Sequence, residues 1–300
     1  MRFRRSGGVL LLAWLIAAVP AGAVTDRDLG LRMVSDGFTQ DFTPDEAVFG
    51  SNPAGGAQEP TNDSRWGVNN DVHQIRITWD HRFLYVAVEG IVWDNNMLLW
   101  LDTVEGVGLE SMVDLNSWRR NVRFIPAFAP DLFVGTWDRN ATGPRLLLHD
   151  AGIVTQLTVA SGLFAGASTF DQAAAGRSME LRIPWSVVFR GEARDSVIDL
   201  GEDRDTVAVL PPCAVLELAT MVTTAGDGFG GPDSAPNNSS GHSSNASELV
   251  IIDNFAIVPL DVDCDRLADT GVAPRDRVRL HDVTTPVARS TWGRLRTRFR

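Results

Sequence analysis

Lysine is missing from this chain: all 27 basic residues among its 300 are arginine. That excludes a Schiff-base lysine and the phosphate-gripping lysine of Walker-type loops. Cysteine is scarce, with Cys213 and Cys264 alone, so there is no CxxCH haem attachment and no lipobox cysteine for a lipid anchor. The five histidines (His73, His81, His149, His242 and His281) show no HExxH or HxH spacing, and no Gly-x-Ser-x-Gly elbow is present. No segment keeps helical periodicity for long, and no internal repeat recurs at a fixed period. After the first 23 residues, no apolar run is long enough to cross a membrane.

Positive charge is densest at the two ends. The chain carries a formal charge of −11, with Arg2, Arg4 and Arg5 near the start and eight arginines from residue 275 onward. The body between is therefore left at about −20. Phosphate backbones require a basic face, which argues against nucleic acid as a partner of the body. Such an acidic surface suits calcium, neutral glycans or plain solubility.

Met1 to Ala23 reads as a secretion signal: three arginines, the apolar run Val9 to Val19, and the small-x-small end Ala21-Gly22-Ala23. Export predicts a disulfide between Cys213 and Cys264, closing a loop of about 50 residues, with two free thiols as the alternative. At the other end, residues 275–300 read as a flexible basic tail. There Trp292, Leu295 and Phe299 could share one helical face and dock on an anionic cell-envelope surface.

Organisation centres on Asp71 to Thr103. Ile75, Ile77 and Trp79 alternate with Arg76 and Thr78, and Leu84, Val86 and Val88 alternate with Tyr85 and Ala87. Leu99 and Leu101 oppose Leu98 and Trp100. A period of two residues predicts strands, and the polar turn Asp80-His81-Arg82 predicts a hairpin between the first two. Further short strands follow, separated by turn signals. The pattern predicts an all-β fold: a two-sheet antiparallel β-sandwich, jelly-roll or immunoglobulin-like, over residues 24–259 with long loops. Trp118 to Phe128 and Leu249 to Val258 each read as one strand, and Pro184 to Phe189 as a short helix.

The same stretch carries a resemblance. Trp79-Asp80, a short turn, Phe83-Leu84-Tyr85-Val86-Ala87-Val88, Asn95-Asn96 and then Leu101-Asp102-Thr103 resemble the superfamily that joins family 9 carbohydrate-binding modules and DOMON-like domains. The C-terminal module of glucodextranase-type proteins looks like a close cousin. Ile183-Pro184-Trp185 resembles a strand end of that group, and Gly226 to Asn237 resembles its Gly/Asp/Pro/Asn-rich loop before the last strand. The resemblance covers roughly residues 30–260. It implies a sandwich that binds polysaccharide or another glycan without catalysis.

Two segments offer oxygen ligands for calcium. Asp261, Asp263, Asp265 and Asp269 occupy positions 1, 3, 5 and 9 of a calcium-loop spacing within residues 260–274. Arg266 stands where glycine is usual at position 6, and Val272 where glutamate is usual at position 12. A solvated acidic linker is the alternative. Asp227 and Asp233, with Asn237 and Asn238, form a second candidate in the glycine-rich loop, where a structural turn is the alternative.

Eight of the nine tryptophans lie outside the signal. Strand parity puts Trp79 in the core, and Pro184 puts Trp185 there. Trp66, Trp93, Trp118 and Trp137 have polar neighbours, Arg119 among them. They are the candidates for a sugar-stacking platform, with burial at the sandwich edge as the alternative for each. Three functional classes follow: a non-catalytic glycan-binding module stabilised by calcium, an envelope structural or interaction protein, and a polysaccharide hydrolase with two carboxylates in a cleft.

Overall fold

Alternation in the central stretch is realised as three antiparallel strands, Asn70–Trp79, Phe83–Val92 and Asn95–Asp102. Asp80 makes the first turn: its Oδ1 accepts the backbone N–H groups of Arg82 and Phe83, both at 2.7 Å. The structure, a computed structural model, describes residues 26–49, 62–104, 107–136, 143–150, 152–170, 177–199, 204–239, 241, 247–271 and 273–281. Residues 1–25, expected to hold a secretion signal, Trp137, His242, Val272 and the residues beyond His281 lie outside these described residues.

Two antiparallel sheets form the body. The first has five strands in the order Ala47–Phe49, Asn70–Trp79, Phe83–Val92, Ser178–Pro184 and Ala165–Ser168. The second runs Arg279–His281, Phe255–Pro259, Val215–Thr224, Asn95–Asp102, Leu132–Gly135, Arg145–Asp150 and Ile153–Thr158, with Asp233–Ala235 pairing beside the end of Val215–Thr224. The chain is thus an all-β sandwich, as its alternation predicts. Its main core lies between the sheets: Ile75, Ile77, Leu84, Val86 and Val88 pack with Leu99, Leu101, Val134, Leu216 and Leu218. Trp79 and Trp185 join this core, and the indole N–H of Trp185 donates to the Asp80 carbonyl at 2.9 Å.

Both outer faces are covered as well. Leu98, Trp100 and Phe133 point away from the main core and pack under Leu109, Met112, Trp118, Phe124 and Phe128. On the far side, Tyr85 and Ala87 pack against Leu29, Met33 and Phe42 of the N-terminal segment. That segment is fastened by Glu180, whose Oε2 accepts the N–H groups of Asp36 and Gly37 at 3.0 and 3.1 Å.

The structure departs from the sequence expectations in four places. Asp26–Arg32 is a helix, seven residues long and too short to show as periodicity. The Trp118 to Phe128 segment shrinks to the strand Val122–Phe124, which pairs in parallel with Val250–Ile252. The Leu249 to Val258 segment divides into Val250–Ile252 and Phe255–Pro259. The sandwich does not stop at residue 259, and the basic tail does not begin loose at 275. Arg279–His281 adds an edge strand beside Phe255–Pro259, and His281 stacks on Phe255 with ring centroids 4.4 Å apart.

Candidate metal centres and the aromatic loop end

Cys213 and Cys264 form the expected disulfide. It pins the Asp-rich segment to the edge of the sandwich, where the indole N–H of Trp79 also donates to the Asp269 carbonyl at 2.9 Å. Asp261 is 2 % exposed. Its Oδ2 accepts the N–H groups of Cys213 and Arg266 at 2.8 and 3.1 Å, whereas its Oδ1 is buried without a partner among the described residues. Asp263 and Asp265 accept the N–H groups of Asp265 and Leu267, so the chain winds around its own carboxylates. One oxygen from each of Asp261, Asp263 and Asp265 lies within 4.8 Å of the other two, an arrangement that can hold a metal ion. Burial, reinforced by Asp265 and Asp263, raises the carboxyl of Asp261 above the ordinary range despite its two N–H donors.

Asp269 does not join this cluster. Its Oδ2 is taken by the Val262 N–H and the Arg277 guanidinium, both at 2.8 Å. Arg266 bends the chain between Asp265 and Leu267. It adopts φ +76°, the left-handed conformation for which position 6 normally uses glycine. Its guanidinium Nε is held by the Leu210 carbonyl at 3.1 Å.

The glycine-rich loop parts its two aspartates. Asp227 pairs with Arg120 at 3.3 Å, so it is not a companion of Asp233. Asp233 instead meets Asp63 and Asp71, with one oxygen from each of the three within 4.8 Å of the others. Asp71 stands near the start of the Asn70–Trp79 strand and Asp233 opens the strand Asp233–Ala235. The Asp233 side chain is tied to the strand that carries Asp71, since the Val72 N–H donates to Asp233 Oδ2 at 2.6 Å. Asp71 also gathers the preceding loop: it accepts the N–H groups of Asn62 and Ser64 at 2.7 and 3.3 Å, and lies 3.2 Å from His73 Nε2. Asp63 is exposed and accepts from the Asn237 amide at 3.3 Å.

The electrostatics of the two buried members diverge. Burial raises Asp71, but the His73 contact and the two N–H donors outweigh it and hold its carboxyl below the usual range. Asp233 is pushed well up, first by burial and then by the carboxylates of Asp63 and Asp71. Asp63 and Asp71 carry no sequence signal of their own. They stand in a separate loop and strand, and only the pairing of strands brings them to Asp233.

The aromatic candidates also separate. Trp93 is 45 % exposed at the tip between Phe83–Val92 and Asn95–Asp102. Its turn is fixed by Asn70, whose Oδ1 accepts the Trp93 N–H at 3.2 Å and the Asn95 amide at 2.8 Å. Trp66 is half-buried, and its N–H donates to Ser64 Oγ at 3.3 Å. Trp118, by contrast, is 5 % exposed and belongs to the outer core. Its indole N–H donates to Gln156 at 2.9 Å, and the Arg120 guanidinium lies over its ring at 5.6 Å. Arg119 is exposed, its carbonyl accepting the Gly228 N–H. Phe229, not anticipated from the sequence, is 39 % exposed beside Arg120 in the 225–230 loop.

Register places these features at one end of the sandwich. Asn70 lies opposite Val92, Asn95 opposite Thr224, and Val222 opposite Asp233. The Arg65 N–H donates to the Pro232 carbonyl at 3.2 Å, bringing the Trp66 loop to the same place. No protein-family model matches the chain, and no curated protein matches it either. Fold and bond therefore define the class: a disulfide-bonded all-β sandwich with acidic clusters able to hold a cation.

Proposed function

We propose that the chain is an exported, non-catalytic glycan-binding sandwich in which calcium, held by Asp261, Asp263 and Asp265, is a structural ion. The observation that carries the reading is Trp93: a large indole held 45 % open to solvent on a turn fixed by Asn70 and Asn95. Flat aromatic faces hold the apolar side of pyranose rings, and neighbouring amides and charged groups address the hydroxyls. Trp66 and Phe229 flank the same end, with Asn95 and Arg119 as polar partners. The resemblance to family 9 carbohydrate-binding and DOMON-like modules supports the same reading. Export is supported by the signal-like leader and the Cys213–Cys264 bond. Calcium suits a loop of alternate aspartates because it takes six to eight hard oxygens.

Affinity electrophoresis of the mature protein through gels containing soluble polysaccharides tests this. The reading predicts retardation by one polysaccharide class and its loss in Trp93→Ala, with the melting temperature unchanged. Equal mobility in every gel would sink it and favour an envelope structural role.

A further inference from the structure

Three carboxylates converge at the aromatic end for which hydrogen bonding gives an incomplete account. Asp233 is 0 % exposed, and its Oδ1 has no partner among the described residues. It is aimed at a cluster in which Asp71 is equally buried and Asp63 opens to solvent. Buried carboxylates in proteins are paired with cations or bind metals, because an uncompensated charge away from water is costly. Among the described residues, the basic group placed against the three is His73, and it contacts Asp71, at 3.2 Å. No arginine is paired with Asp63, Asp71 or Asp233 among the ion pairs of the described residues.

The geometry points to a divalent-cation site formed by Asp63, Asp71 and Asp233, separate from the Asp261 loop and independent of whether the protein binds glycans. The donors are all oxygen, which selects a hard cation such as calcium over zinc or copper. Every carboxylate oxygen already accepting an N–H keeps a second lone pair for the ion. Asp63, on the open side, leaves room for water to complete the shell. The site would also organise what surrounds it. Asn62 and Ser64 are bonded to Asp71, and Arg65 to Pro232, so an ion here would fix the loop that carries Trp66.

Isothermal titration of the chelator-treated mature protein with CaCl2, disulfide intact, tests the site. Asp63→Asn is the first variant, because the residue is exposed and its loss leaves the core untouched. Asp71→Asn is the second, and Asp263→Asn reports on the other loop. The expected result is one calcium equivalent lost in Asp63→Asn and in Asp71→Asn, and kept in Asp263→Asn. If the Asp261 loop also binds, the wild type shows two equivalents; if that loop fails, it shows one, still lost in Asp63→Asn. No calcium uptake by the wild type, or a stoichiometry that Asp63→Asn leaves unchanged, overturns the proposal.

Discussion

Glu180 shows how much one buried side chain can set the behaviour of a surface segment. It is 1 % exposed, and its carboxyl is pushed up to about 8, first by burial and then by Asp41. Because the folded value lies above the ordinary one near 4.5, its contribution to stability is full below that value and is lost as pH rises through about 8. In calcium-free buffer, thermal melts from pH 5 to pH 9 should therefore show a falling melting temperature. The slope should be shallower in Glu180→Gln. Trp118 is set by a residue far from it in sequence. A Cβ at Gly135 would lie 2.4 Å from its ring, so the indole fills the notch that this glycine leaves in its strand. Its polar neighbours leave Trp118 open to either stacking or edge burial; the notch, formed by a residue distant in sequence, decides burial. Trp118→Ala should cost about 3–5 kcal/mol in urea unfolding, whereas Trp93→Ala should cost little.

At the scale of elements, alternation made the central hairpin and its faces legible. Ile75, Ile77 and Trp79 point inward, and Tyr85 and Ala87 outward, because parity along a strand is a local property. The short helix at Trp185–Val188 was legible too. The acidic clusters were legible only in part. Asp261, Asp263 and Asp265 are close in sequence, so spacing alone brings them together, while Arg277 withdraws Asp269 from a part of the chain that looked like loose tail. Asp233 was visible as a candidate, but its companions depend on which strands pair. The disulfide fastens the first cluster through Cys213, whose N–H bonds Asp261. Replacing both cysteines by alanine should lower stability by about 2–4 kcal/mol. It should also weaken calcium binding at that loop, measured by titration calorimetry, and leave the Asp63 site intact.

Over the whole molecule, the two sheets serve as a frame that brings remote loops to shared positions. One end collects Trp66, Trp93, Phe229 and the Asp63–Asp71–Asp233 cluster; elsewhere the disulfide holds the Asp-rich loop against the sandwich. No helix among the described residues is long and apolar enough to cross a membrane. As proposed, a glycan would meet the open indole at the loop end. The most direct measurement is a titration of intrinsic tryptophan fluorescence of the protein with a panel of soluble glycans, with and without calcium. A saturable shift for one glycan class is expected, lost in Trp93→Ala and kept in Trp118→Phe. A flat response to every glycan, or a shift that survives Trp93→Ala unchanged, would contradict it.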